Sequence, residues 1–227
     1  MRSLWVVPLV GLMACTPPLV GRAIQARGGP LPSYSKAVDV EVWTGIPGDW
    51  SWELAYRVPE SFRWSLDTWA APQRILFDGR MVRHQLGSAM MPPAAADRAV
   101  RSQARWFAVT SLDVLVDPRT SWSELPAAQL PPGMSRGLIA RWEDDPAVFE
   151  LFFDEKALLK RARGHVSLGP IGEGLLEANF ADYRKVDGFW LPFAVAYRLD
   201  GEPLMRESVE IWRPNDGELK PGLFAGQ

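Results

Sequence analysis

Apolar and polar residues alternate along most of this chain, most cleanly toward its end. Phe189, Leu191, Phe193, Val195, Tyr197 and Leu199 occupy every second position, which places them on one face of a strand. Apolar-rich runs flank this segment on both sides, separated from it by Asp187-Gly188 and by Asp200-Gly201-Glu202-Pro203. Asp-Gly between alternating runs predicts a hairpin, because a type I′ turn needs positive φ at both central residues. Pro192 has no amide for a ladder, which predicts an edge position or a bulge. In the last run Met205, Val209 and Ile211 share a face on which Glu207 is the exception. Residues 175–213 therefore predict an antiparallel meander with one strongly apolar side that something must cover, or bind.

The first half carries the same pattern. Val38, Val40 and Val42 alternate within 37–44, and Trp52, Leu54, Tyr56 and Val58 within 51–58. Phe62, Trp64 and Leu66 follow, and Asp78-Gly79 predicts a hairpin between 74–77 and 80–86. Residues 94–116 break the alternation. They contain no Gly or Pro, and Ala99, Val100, Gln103, Phe107 and Thr110 recur at helical spacing, which predicts an amphipathic helix across the sheet. A short second helix is predicted at 123–130, although Pro126 interrupts it. Strands resume at 137–143, 147–153 and 158–166. Phe149, Leu151 and Phe153 on one face, with Val148 and Phe152 on the other, predict a strand buried on both sides. The fold class is α+β, mainly antiparallel β.

The N-terminus reads differently. Met1-Arg2-Ser3 is a short basic start, and residues 4–11 are an apolar segment far too short to span a bilayer. Leu12-Met13-Ala14-Cys15 then resembles the bacterial lipobox, whose Cys is diacylated on sulfur and becomes the new N-terminus after cleavage. Cys15 is the only Cys in the chain. The alternative is an ordinary secretory signal with an incidental Cys. Residues 1–14 are thus predicted to be a lipoprotein signal peptide, with Cys15 as the lipidation site and the membrane reached through its acyl chains. Thr16, in place of Asp, implies the periplasmic face of the outer membrane. Residues 15–36, with Pro17-Pro18, Gly28-Gly29-Pro30 and Pro32, read as a flexible tether, and residues 37–227 as one domain.

The sequence encodes little chemistry. Gly133-Met134-Ser135-Arg136-Gly137 spells the nucleophile-elbow motif, but Pro131-Pro132 precede it and the strand-like Leu138-Ile139-Ala140 follow. That motif needs a strand before it and a helix after it. His84 and His165 are the only two histidines and have no paired ligand spacing. Glu143-Asp144-Asp145-Pro146 lacks the spaced oxygens of a calcium loop, and no glycine-rich phosphate cradle is present. No enzyme activity, metal or cofactor is predicted. A net charge of −2 gives no electrostatic case for nucleic acid. The eleven Trp either fill a β-rich core or line an aromatic cavity.

Phe180-Ala181-Asp182-Tyr183-Arg184, then Val186-Asp187-Gly188, then Leu191-Pro192, resembles a motif of the LolA/LolB-like lipoprotein-carrier superfamily. Val58-Pro59 with Phe62-Arg63, Phe77-Asp78-Gly79, Phe153-Asp154 before Leu158, and the Leu223-Phe224 ending extend the likeness loosely over residues 38–224. The resemblance implies a curved half-barrel sheet whose apolar concave face is lidded by helices, with acyl chains or lipidated protein bound there without chemistry. In that superfamily the carrier is soluble and the receptor lipid-anchored, so Cys15 favours comparison with the receptor. Such receptors carry a protruding apolar loop, for which Met90-Met91-Pro92-Pro93 is the nearest candidate, with a plain strand-to-helix linker as the alternative. The predicted ligand cavity is lined by Trp52, Leu54, Tyr56, Phe62, Trp64 and Leu66, with Phe107 from the helix; the same residues would equally form a filled core. The motif residues Phe180, Asp182, Tyr183, Arg184, Asp187, Gly188, Leu191 and Pro192 are read as structural. The functional expectation is an outer-membrane lipoprotein that binds acyl chains or lipidated cargo in transport or sorting. The alternative is a non-transporting envelope sensor or scaffold, with protein partners undefined.

Overall fold

The computed structural model describes residues 18–44, 47–67, 72–86, 89–91, 93–143, 145–220 and 222–225. Helix α1 (Pro18–Arg27) leads into β1 (Ser33–Val42), β2 (Gly48–Arg57), β3 (Ser61–Asp67), β4 (Gln73–Phe77), β5 (Val82–Leu86) and β6 (Ala89–Met91). Helix α2 (Pro93–Ser111) and a 3-10 turn, Asp113–Val116, come next. The chain continues through β7 (Thr120–Glu124), β8 (Arg136–Trp142), β9 (Asp145–Phe153) and β10 (Leu159–Ser167). The last strands are β11 (Glu173–Val186), β12 (Phe189–Leu199) and β13 (Glu202–Pro214), followed by a single helical turn, α3 (Gly222–Ala225).

Among the described residues one antiparallel sheet holds thirteen strands, in the order β6-β5-β4-β3-β2-β1-β13-β12-β11-β10-β9-β8-β7. Two meanders are thus joined where β1 meets β13. Helix α2 packs against β4 and β5 and also against β10. From β5 to β10 is eight strand spacings, about 38 Å in a flat sheet, whereas a helix of 19 residues is only about 28 Å long. The sheet must therefore curl around α2, which makes it an open half-barrel with a helix in its concavity. No helix among the described residues is long and apolar enough to cross a membrane.

Turn chemistry fixes the hairpins. Asp187 and Gly188 have φ of 47° and 93°, and Asp200 and Gly201 have 51° and 87°, the paired positive values that Asp-Gly predicts. Asp78 Oδ1 accepts from the amides of Arg80 and Met81 at 2.8 Å each, closing the β4–β5 turn. Those bonds hold the Asp78 carboxyl below its ordinary range. Pro192 lies in an interior strand, not at an edge. It sits where β12 stops pairing with β13 beyond Ala194, and its carbonyl instead accepts from Trp212 Nε1 at 3.0 Å.

The tether reading gives way from Pro18 onward. Leu19, Val20, Ala23 and Ile24 are all at least nine-tenths buried, so α1 is part of the core and β1 starts at Ser33. The helix predicted over 94–116 ends at Ser111, because Leu112 takes a left-handed φ of 67°. In place of the helix predicted at 123–130 stand the end of β7 and a 3-10 turn, Ala127–Gln129, since Pro126 has no amide to donate. Two-sided burial of β9 holds at Phe152, which Gly137, Leu125 and Leu130 cover, while Val148 on the same side is 37% exposed. Phe224 of α3 is buried against β3 and β4.

Under α2 the sheet carries small residues, Ala162, Gly164 and Ala178, and the Phe149 ring lies over Gly164 between Trp106 and Trp142. A Cβ on Gly164 would stand 2.5 Å from Phe149 Cδ1. Gly164→Ala is therefore expected to lose about 1–3 kcal/mol. A lowered urea midpoint at unchanged slope would show it.

Candidate functional site

Between the helices and the concave face runs a narrow cleft of about 80 Å³. Ala23 and Arg27 of α1 and Phe107 and Thr110 of α2 form its roof; Tyr34 and Lys36 of β1, Val195 and Tyr197 of β12, and Trp212 of β13 form its floor. Along β12 the lining runs from Trp190, which is 41% exposed, to Tyr197, which is under a tenth exposed. The space admits a few water molecules, well short of the roughly 300 Å³ or more of an ordinary small-molecule pocket.

Two buried ion pairs shape the cleft. Arg27 closes α1 and donates to Asp113 Oδ2 at 2.8 Å, to the Gly29 carbonyl at 2.9 Å and to the Ser111 carbonyl. Asp113 Oδ1 accepts from the Leu31 amide at 3.0 Å. One carboxylate thus ties the end of α1, the chain beyond it and the end of α2. On the floor, Lys36 Nζ lies 2.6 Å from Glu207 Oε2, and the Tyr197 hydroxyl donates to Glu207 Oε1 at 3.1 Å. Burial, and after it the Glu207 carboxylate, push the Tyr34 and Tyr197 phenols far above their ordinary range, so both stay protonated. Burial does the same to Tyr183, whose hydroxyl donates to the Leu159 carbonyl.

Of the seven predicted cavity residues, Phe107 lines the cleft. Leu54, Tyr56 and Phe62 are fully buried in the main core beside it. Trp52 and Leu66 belong to a second apolar cluster with Val38, Val40 and Val209, and Trp64 packs against both clusters. Of the motif, Phe180, Tyr183, Leu191 and Pro192 line the cleft; Asp187 and Gly188 make the turn. Asp182 takes a φ of 51° and accepts from Arg184 at 2.6 Å on the exposed side. Sequence reasoning missed Ala23, Arg27 and Lys36. The signal was present: Leu19, Val20, Ala23 and Ile24 have the spacing of a helix stripe.

Ser135 lies on an exposed bend and leads into a strand, so the strand-turn-helix of a nucleophile elbow is not formed. His165 is exposed on β10, and His84 on β5 is half-buried, with burial holding its imidazole below its usual range. Among the described residues no group of three His, Cys, Asp or Glu could hold a metal ion. Cys15 and Thr16 lie outside the described residues, as do the side chains of Met90, Met91, Pro92 and Pro93.

No protein-family model and no curated protein sequence matches the chain. Solved structures do. A LolA superfamily protein from Nitrosomonas europaea superposes with a TM-score of 0.63 at 11% identity, over 90% of this chain and 95% of that one. A putative outer membrane lipoprotein-sorting protein domain from Vibrio parahaemolyticus gives 0.55 at 9%, over 90% and 94%. A DUF1329 family protein from Desulfovibrio piger gives 0.56 at 12%, over 91% and 94%. At such identities the likeness is one of architecture, and in architecture this chain has the LolA/LolB-like fold.

Proposed function

We propose that this protein is a bacterial envelope lipoprotein, anchored by Cys15 to the periplasmic face of the outer membrane, that binds acyl chains or lipidated cargo without catalysing a reaction. The observation that carries this reading is the mostly apolar cleft between α1, α2 and the concave sheet, with the exposed Trp190 in its lining. A hydrocarbon chain needs no polar partner, and each buried methylene contributes about 0.8 kcal/mol. Names of neighbours in the same fold, a LolA superfamily protein and a lipoprotein-sorting domain, support lipid or lipoprotein handling.

The cleft's small volume requires the helices to separate before a long chain enters. It also supports a second reading, in which the cleft stays shut and the same fold serves as an envelope sensor or scaffold.

The test is to isolate the full chain from a bacterial envelope, extract it and count lipid per protein. About one non-covalent acyl lipid per chain is expected, alongside a covalent lipid on Cys15 in the intact mass. Thr110→Trp projects into the cleft from α2 and is expected to lower the non-covalent lipid roughly tenfold, equivalent to about 1.4 kcal/mol, in a chain that still unfolds cooperatively though at a somewhat lower temperature. Lipid-free wild type that also fails to take up a fluorescent fatty acid would sink the carrier reading and leave the scaffold.

A further inference from the structure

The concave floor is not uniformly apolar. Lys36 on β1, Glu207 on β13 and Tyr197 on β12 are joined by contacts of 2.6 and 3.1 Å into a polar rung across three neighbouring strands. All three are under a tenth exposed, and the Lys36 ammonium also lies 5.6 Å from the Trp212 ring centre. Along β1 the rung divides the same face. Tyr34 on one side belongs to the main core and the cleft, whereas Val38 and Val40 on the other belong to the separate cluster with Trp52, Leu66 and Val209. Lys36 lines the cleft and is joined through Glu207 to Tyr197, the lining residue of β12 farthest along the strand from Trp190.

We propose that the Lys36–Glu207–Tyr197 rung is a depth stop that sets the longest acyl chain the cleft accepts. This rests on the acyl-binding reading above and names the residues that give it specificity. A terminal methyl reaching the rung meets a paired charge that it cannot solvate. Passing further would mean parting an ion pair already removed from water, a large penalty with no compensating polar contact from a hydrocarbon. Affinity therefore rises with chain length only while added methylenes lie between Trp190 and the rung.

The experiment uses the full chain carrying Cys15→Ser, so that no covalent lipid competes, and a series of saturated fatty acids of increasing length displacing a fluorescent one. In the wild-type cleft each methylene is expected to tighten binding about fourfold until the gain levels off. Lys36→Met/Glu207→Leu/Tyr197→Phe removes the rung, and of the groups around it the buried Trp106 indole N–H loses the Tyr197 oxygen it meets. Replacing a buried pair by apolar residues is commonly tolerated. Its levelling point is expected to move to longer chains. Val38→Leu, beyond the rung, is expected to leave the wild-type levelling point unchanged, while Val195→Phe, on the cleft side, shortens it. A triple variant that binds but levels at the wild-type length, or Val38→Leu shortening the profile, overturns the stop while acyl binding stands. Absence of binding at every length in the wild type overturns both. If the triple variant fails to fold, the two single variants decide.

Discussion

Asp113→Ala is expected to cost about 3–5 kcal/mol of folding stability, the scale for removing one partner of a buried ion pair. Asp113 is 8% exposed and Arg27 7%. Without the carboxylate, the Arg27 guanidinium stays buried with only the Gly29 and Ser111 carbonyls to answer its charge, and the Leu31 amide loses its acceptor. The comparison that isolates the pair is Arg27→Met/Asp113→Ala. With no stranded cation, the double variant is expected to be more stable than the Asp113 single. Urea midpoints of the three chains measure this. A single variant within about 0.5 kcal/mol of wild type, the range of ordinary surface changes, would mean that this carboxylate does not hold α1 to α2. The same variant bears on function. If Asp113 keeps the roof of the cleft shut, releasing it is expected to speed exchange of a bound fluorescent fatty acid even where the chain stays folded.

The parts of the fold that depend on neighbouring residues were legible in the sequence. Asp187-Gly188 and Asp200-Gly201 adopt the conformations their chemistry favours, and the alternation in β2 and β3 correctly names one shared face: Trp52, Leu54 and Tyr56 pair with Leu66, Trp64 and Phe62. Alternation identifies a face; it does not say which part of that face the helices leave open. That depends on where α1 and α2 pack, which places the cleft over β1, β13, β12 and β11. Residues 15–36 show the complementary weakness. Their prolines and glycines match a linker by composition, yet α1 and Lys36 lie inside the protein, and only contacts far along the chain reveal it. Glu207 was visible as the one charged position on an apolar face, but its partner lay in the segment read as a tether.

Gly28 makes that last point testable, and Gly28→Ala is expected to cost about 3–5 kcal/mol. Its φ of 121° belongs to a region that side-chain-bearing residues rarely enter, a strain of about 1–3 kcal/mol. A Cβ there would also stand 2.5 Å from the Gly188 carbonyl oxygen and 2.9 Å from Phe189 Cα. Both are backbone atoms of the β11–β12 hairpin, so no rotamer change relieves the contact, and forced displacement adds about 1–3 kcal/mol. Gly29 is the internal control. Its φ is 120°, yet a Cβ there meets nothing within 4 Å, so Gly29→Ala is expected to show the backbone strain alone. The difference between the two urea midpoints measures the close approach of α1 to the hairpin. If a flexible linker occupied these positions, both substitutions would be neutral or slightly stabilising through the unfolded chain. A large loss for Gly28 and a smaller one for Gly29 requires instead that the end of α1 be seated against the hairpin that carries Trp190, an exposed residue of the cleft's lining.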